Sequence, residues 1–366
     1  VGTSLLTNQS NKFVDNSPNN YALTLTNQPT ISPAVPFSTQ YVANTPYYST
    51  YFNGSTDYLT TVNNTAFSLG SGDFTIELWI YLNGTTQGGL VERRSTGWGV
   101  GDWVFYANET SGTINFYSYE FNNAGTIPLL TAASVVTTSA WYHVAVVRTG
   151  TTFTLYVNGV SKNSTTSSIT IADNSLGITI GRDNNSTGRF YLSGLISNLR
   201  IIKGQGLYTG TFTPSTSPLT TTSQGATANT VSILSCQSNR FVDNSSVANT
   251  ITVSGSPSVQ AFSPFAPTAA YSTSVVGGSG YYDGTGDFLS AADNAALELG
   301  SSDFCIECWF WFESRESYSS VIGQWASGQK NFKFGFLTTD ALTFTYSTNG
   351  TNETDLAQTG TLSTNS

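Results

Sequence analysis

Ser71-Gly72-Asp73-Phe74-Thr75-Ile76-Glu77-Leu78-Trp79-Ile80-Tyr81-Leu82 is the stretch that decides the fold. Period-2 alternation puts Phe74, Ile76, Leu78, Ile80 and Leu82 on one face of a β-strand, and Thr75, Glu77, Trp79 and Tyr81 on the other. Such a strand suits the middle of a sandwich. Its aliphatic face packs on an opposing sheet, and its aromatic and acidic face lines a cleft or lies under loops. The stretch returns 230 residues later as Ser301-Ser302-Asp303-Phe304-Cys305-Ile306-Glu307-Cys308-Trp309-Phe310-Trp311-Phe312, which is expected to form the equivalent strand.

Outward from this strand, short alternating segments recur between turn residues. Toward the N-terminus lie Leu5 to Leu6, Tyr21 to Thr26, Tyr51-Phe52 and Tyr58 to Val62, with Pro29 to Pro46 wrapping an edge because proline cannot donate to a central ladder. Toward the C-terminus lie Gly89 to Glu92, Trp103 to Tyr106, Thr113 to Tyr119, Trp141 to Arg148, Phe153 to Val157, Gly177 to Gly181 and Gly194 to Ile202, after which Tyr208 to Pro214 leads out. Asn158-Gly159 after Phe153–Val157 signals a type I′ hairpin. Apolar residues seldom recur at helical spacing, and Gly, Thr and Asn interrupt throughout, so no helix is expected. Short strands with turns between them imply an all-β, antiparallel jelly-roll sandwich.

A second repeat signal lies at the front of the chain. Ser4-Leu5-Leu6-Thr7-Asn8-Gln9-Ser10-Asn11-Lys12-Phe13-Val14-Asp15-Asn16-Ser17 matches Ser232 to Ser245 at an offset of 228, and Tyr51 to Leu59 matches Tyr281 to Leu289 at 230. A repeat this long is a whole domain rather than a solenoid unit. The expected organisation is a jelly roll in residues 1–225, with its core over about 47–214 and a connector over 4–46, then an incomplete second copy in 226–366. The counterpart of Trp141 would fall at 371, past Ser366, so the second copy is expected to continue beyond 366 or to pair with another subunit. The chain has no Met, not even at position 1, which leads to the expectation of a segment of something longer or a processed form.

Composition narrows the function. Apolar residues make up 39% and aromatics 13%, too much core material for a disordered chain. Charged residues are only 10%, far below the roughly 25% of ordinary soluble proteins. The polar surface is therefore Ser, Thr, Asn and Gly, a composition of extracellular and virion proteins. A net charge of −9 with no basic run speaks against nucleic acid and anionic membranes as partners. No apolar run approaches the roughly 20 residues of a membrane-spanning helix, so no membrane insertion is expected. Cys236, Cys305 and Cys308 are an odd number and cannot all pair internally. Cys305-x-x-Cys308 sits in an expected strand, where positions three apart face opposite ways, so the pair reads as packing rather than a metal or redox site.

Five motifs, in order and suitably spaced, resemble the laminin-G-like branch of the concanavalin-A-like jelly rolls. They are Tyr51 to Leu59, Asp73 to Trp79, Trp141 to Arg148, Leu155-Tyr156-Val157-Asn158-Gly159 and Gly194 to Ile201. The Gln-Ser-Asn-Lys/Arg-Phe-Val-Asp-Asn-Ser connector, with Phe262-Ser263-Pro264-Phe265-Ala266-Pro267, resembles linkers in tandem laminin-G-like proteins of marine bacteriophage virions. The resemblance implies a jelly roll displayed on a virion surface or outside a cell, assembled with other surface proteins as a homo-oligomer. Its work would be structural display and adhesion with host glycans as ligands. The alternative it implies is a secreted bacterial adhesin with a calcium-dependent carbohydrate-binding domain.

Candidate residues follow from chemistry. Glu77, Trp79 and Tyr81 share a strand face, as do Glu307, Trp309 and Trp311. Aromatic faces stack on sugar C–H surfaces and carboxylates accept from sugar hydroxyls, or else loops cover the rings, since burying each is worth roughly 1.5–3 kcal/mol. Jelly rolls of the resembled class often hold calcium at the rim through oxygen ligands, for which Asp57, Asp73, Asp183 and Asn184 are the candidates. Catalysis is not expected. The Glu-x-Asp-x-x-Glu run of glycosidases with this fold is missing, as are a Gly-x-Ser-x-Gly elbow, a phosphate loop and a His-rich motif. The single histidine, His143, lies among apolar strand neighbours and reads as structural. Asn-x-Ser/Thr sites are frequent because the chain is rich in both residue types.

Overall fold

The computed structural model describes residues 48–265 apart from 85–86, 109, 186–189 and 239. Shorter described stretches are 5, 7, 13, 15, 17–26 and 30–32 before this body, and 279–282, 286–301, 303–310, 319–326, 329–336 and 341–357 after it. Residues 1–297 and 298–366 form two compact units.

Two antiparallel sheets make the first unit's sandwich. One runs Val160–Thr166, Thr152–Val157, Trp141–Thr149, Phe74–Leu82, Ser193–Lys203, Ser49–Asn53, Ser258–Gln260, with Val231–Ser235 also paired to Ser193–Lys203. The other runs Ile251–Ser254, Tyr58–Thr61, Thr179–Ile180, Gln87–Arg93, Trp103–Asn108, Thr113–Ser118, Leu130–Ala132. The Phe74 strand is central in the first sheet, in register with Trp141–Thr149 on one side and Ser193–Lys203 on the other. Phe74, Ile76, Leu78, Ile80 and Leu82 point into the core and meet Trp103, Phe105 and Phe116 of the facing sheet. Phe74 lies 6.3 Å from Phe116 and 6.0 Å from Phe153, ring centroid to ring centroid. Helical structure among the described residues is confined to four three-residue 3₁₀ turns, the polar, β-branched sequence giving no longer helix a face to bury. No described helix is long and apolar enough to cross a membrane.

Asn158 and Gly159 both take positive φ, 48° and 76°, as a type I′ turn requires. Gly159 is also held by space: a Cβ there would sit 1.8 Å from the Phe212 carbonyl oxygen. That crowding arises because residues 204–226 do not lead away from the sandwich. They fold back over the outer face of the Phe74 sheet, with Phe212 donating its N–H to Gly159 and Tyr208 stacked on Phe212 at 3.5 Å.

The expected boundary at residue 225 falls inside this unit. Val231–Ser235, Ile251–Ser254 and Ser258–Gln260 are strands of its two sheets, so the connector closes the sandwich instead of linking away from it. The physical reason is edge coverage: without Ile251–Ser254 and Ser258–Gln260, the Tyr58–Thr61 and Ser49–Asn53 strands would present open edges.

In the second unit, Ser319–Ala326, Gln329–Phe336, Leu342–Tyr346 and Thr354–Ala357 form a four-stranded antiparallel sheet. Residues 303–310 are not in a strand, contrary to expectation. In the first unit the equivalent strand is paired on both sides, whereas among the described residues of 298–366 no strand pairs with 303–310. A ladder needs partners for its N–H and C=O groups. Cys305 and Cys308 are consequently exposed rather than packed.

Candidate functional site

Glu77 is a buried hub. Its Oε1 accepts from Arg200 Nε at 2.8 Å and Nη2 at 2.6 Å, and its Oε2 accepts from Tyr208 Oη at 2.8 Å and meets His143 Nε2 at 3.1 Å. The sequence builds this locally. A bulge between Ser197 and Arg200, with Asn198 at φ 53°, sets Arg200 directly opposite Glu77. Asn198 Oδ1 then takes the N–H of Leu219 at 2.8 Å, and Arg200 Nη1 donates to the carbonyls of Thr220 and Ser223, pinning the covering segment. Burial works against ionisation of Glu77, but the His143 hydrogen bond and the Arg200 charge outweigh it and hold the carboxyl below its usual value. Burial and the Glu77 charge push the Tyr208 hydroxyl far up, so it remains a donor.

Trp79 is 6% exposed, under Leu219, Ala226 and Phe265, with the Phe265 ring 5.1 Å away. Tyr81 is half-buried between Trp141 at 5.5 Å and Phe262 at 5.1 Å. Of the two readings for this face, coverage by loops describes its geometry, because Arg200 and Tyr208 need buried acceptors and the segment 204–226 supplies and takes them. Glu307 and Trp309 are exposed, Trp309 at 76%, and lie on no strand; Trp311 lies outside the described residues.

The calcium candidates are not brought together. Asp57 accepts from the N–H groups of Asn53 and Ser256 at 3.2 and 2.8 Å, and Asp73 from that of Gly150 at 2.7 Å. Asp183 is ion-paired to Arg94 at 2.8 Å, and Asn184 donates its N–H to both oxygens of Glu92 at 3.0 and 3.1 Å. Among the described residues no group of three or more His, Cys, Asp and Glu side chains is placed to hold a metal ion.

An open polar and aromatic cleft lies elsewhere, on the outer face of the second sheet. Along Trp103–Asn108, Trp103, Phe105 and Ala107 enter the core. Alternation therefore turns Val104, Tyr106 and Asn108 outward, beside Asn115 and Tyr117 of the next strand. With Gln87, Arg94, Trp98, Gly125, Asp183, Asn185 and Phe190 these line a cavity of about 260 Å³. A second cavity of about 490 Å³, lined by Val100, Tyr119, Glu120, Phe121, Asn122 and Asn123, adjoins it, since Trp98 packs on Tyr119 at 6.3 Å and donates Nε1–H to the Asn122 carbonyl at 3.2 Å. Trp98 stands between the two.

This cleft is rigidly supported. Arg94 lies over the Trp98 ring at 4.7 Å while its guanidinium holds Asp183. Tyr106 donates its hydroxyl to Gln87. Burial raises Glu92 well above the usual carboxylate range, and the neighbouring Asp183 charge adds to it; burial raises Asp183 too, with Arg94 opposing. Trp98 has φ 54°, the left-handed region that a bulky side chain adopts only when its surroundings hold it there. The outward faces of Trp103–Asn108 and Thr113–Ser118 were legible from alternation, but Trp98 sits in a loop, where spacing gives no direction.

Residues 53–205 match a laminin-G-type family model described as the concanavalin A-like lectin/glucanases superfamily. They therefore carry a concanavalin-A-like jelly roll, a lectin-like fold. Among solved structures the chain is similar to a putative carbohydrate binding protein from Bacteroides ovatus, at 14% identity, 60% of this chain, 61% of that one and a TM-score of 0.41. It is similar to domains LG4-5 of the mouse laminin α1 chain at 21% identity, covering 44% of this chain and 42% of that one with a TM-score of 0.33. The CBM40 of a Ruminococcus gnavus IT-sialidase, bound to α2,3 sialyllactose, is similar at 11% identity over 43% of this chain and 91% of that one, TM-score 0.33. The chain thus spans less than two thirds of the length of the first two. No curated protein sequence matches.

Proposed function

We propose that this chain is a non-catalytic glycan-binding module of a virion-surface or secreted protein, and that the sugar sits in the cleft beside Trp98. The observation that carries this reading is the cleft's make-up: half-buried Trp98, Tyr117 and Phe190 rings beside the amides of Gln87, Asn108 and Asn115. Rings stack on the C–H faces of a sugar, and amides match its hydroxyls as both donors and acceptors. The nearby carboxyls are committed. Glu92 accepts from Asn184, Asp183 from Arg94, and Glu120 from the N–H groups of Gly101 and Ala172 at 2.7 and 3.2 Å. Glycoside hydrolysis needs two carboxyls facing the scissile bond, roughly 5–9.5 Å apart. The phage-virion setting, with other surface proteins and further copies of the chain as partners, is supported by the low charge content and by the connector's resemblance to virion linkers.

The test is a glycan array on the full chain, with calcium and with chelator, repeated with Trp98→Ala and Tyr117→Ala. A hot-spot ring is worth about 1–2 kcal/mol, so each variant should weaken the bound glycan about tenfold, with unchanged far-UV circular dichroism. Binding that survives both substitutions would overturn the cleft assignment. Binding lost only with chelator would move the reading to the calcium-dependent adhesin.

A further inference from the structure

The connector after the first jelly roll is a built clasp. Asp243 organises it: Oδ1 takes the N–H of Ser245 at 2.9 Å, and Oδ2 takes the Ser245 hydroxyl at 2.9 Å and the Asn249 N–H at 2.8 Å. Two strands follow. Ile251 to Ser254 pairs with Thr61 to Tyr58, and Ser258 to Gln260 pairs with Tyr51 to Ser49.

The front of the chain repeats this geometry. Asp15 Oδ1 takes the N–H of Ser17 at 2.8 Å, and its Oδ2 takes the Ser17 hydroxyl at 2.8 Å and the Tyr21 N–H at 2.9 Å. Leu23–Thr26 then pairs with Phe288–Ala291, Leu23 opposite Ala291 and Thr26 opposite Phe288. Thr30–Ser32 pairs with Ser279–Tyr281, Thr30 opposite Tyr281 and Ser32 opposite Ser279. Leu23 and Thr30 lie 228 residues before Ile251 and Ser258, and Ala291 and Tyr281 lie 230 after Thr61 and Tyr51. Both strand pairs therefore reproduce the register of the first clasp residue for residue. Alternation agrees: Leu23, Leu25, Leu289 and Ala291 are half-buried, while Thr24 and Ser290 face out. A slip of one residue would reverse that, so the register is specified.

We propose that Leu23–Thr26 and Thr30–Ser32, which follow the Asp15 turn, are a strand clasp whose partners are Phe288–Ala291 and Ser279–Tyr281 of the same chain. It is the counterpart of the clasp that the Asp243 turn, Ile251–Ser254 and Ser258–Gln260 form on the first jelly roll. The front of the chain thereby pairs with the start of the later repeat, at the register with which the connector after the first jelly roll pairs with that jelly roll. Clasp recognition is a matter of register and alternation, so its specificity is for an edge of this same fold.

Paired cysteines in the full chain test this, with Cys236, Cys305 and Cys308 replaced by Ala. Neighbouring pairs in an antiparallel ladder alternate between wide and close spacing, and the close one suits a disulfide. Thr24→Cys/Ser290→Cys and Leu25→Cys/Leu289→Cys are both made, with the slipped pair Leu25→Cys/Ser290→Cys as control. The expected result is a bond within one chain in one of the registered pairs, seen as a faster-migrating monomer on a non-reducing gel and as the linked peptide by mass spectrometry. A bond between two chains would overturn the proposal in favour of exchange between copies. Absence of a bond in both registered pairs, or equal bonding in the slipped pair, would overturn it outright.

Discussion

Replacing Glu77 by Gln is the sharpest test of how the sandwich is held. The substitution keeps the shape but removes the charge facing Arg200, whose side chain is fully buried. Breaking one partner of a buried ion pair costs about 3–5 kcal/mol, because the remaining charge is uncompensated. Arg200 keeps the carbonyls of Thr220 at 2.6 Å and Ser223 at 3.0 Å as acceptors, which places the loss at the lower end, about 3 kcal/mol. For a body of about 200 residues each kcal/mol shifts the midpoint by about 2–4 °C, so the melting temperature should fall by about 6–12 °C. Thermal unfolding followed by near-UV circular dichroism is the assay, since the Trp79 ring packs on His143 at 4.5 Å in the same cluster. The pH dependence has a definite sign. The native carboxyl is held below its usual value, so its contribution is complete above the unfolded pKa and is lost as pH falls through the folded one. The gap between wild type and Glu77→Gln should therefore close in acid. Combining Glu77→Gln with Arg200→Met should recover part of the loss by removing the stranded charge. A single variant that melts within about 2 °C of wild type at neutral pH would refute the reasoning.

Two other outcomes are expected. Burial and Asp183 raise the Glu92 pKa, so the native state holds a proton over a range where the unfolded chain, at about 4.3, has lost it. Wild-type stability contributed by this group therefore falls as pH rises above the unfolded value, and Glu92→Gln should gain on wild type as pH is raised from acid toward neutral in denaturant titrations; a gain that shrinks with pH would contradict this. The thiols should divide two to one: Cys305 and Cys308 are exposed, whereas burial pushes the Cys236 thiol up to about 11. A thiol-reactive dye at pH 8 should label two sites on the folded chain and the third only after unfolding, and three fast sites would show that the 231–235 strand edge is open.

The sequence by itself determined the sandwich. Alternation along Phe74 to Leu82, Trp103 to Asn108 and Trp141 to Arg148 separates core from outer face because strand geometry has a fixed period of two, and Asn158-Gly159 states its turn because positive φ suits few residues. The same alternation placed Glu77, Trp79 and Tyr81 together on one face. Only the tertiary structure decided that this face lies beneath residues 204–226, because the cover is a long-range matter: Arg200 arrives opposite Glu77 through a bulge 123 residues away in sequence, and its remaining donors draw the Thr220 and Ser223 carbonyls over the sheet. Likewise the connector's strands could be read as strands, but which edge they close depends on what else the chain brings to that edge. The cleft beside Trp98 was hidden for a related reason, since a loop tryptophan has no period, and its direction comes from Arg94, Tyr119 and the Asn122 carbonyl that hold it.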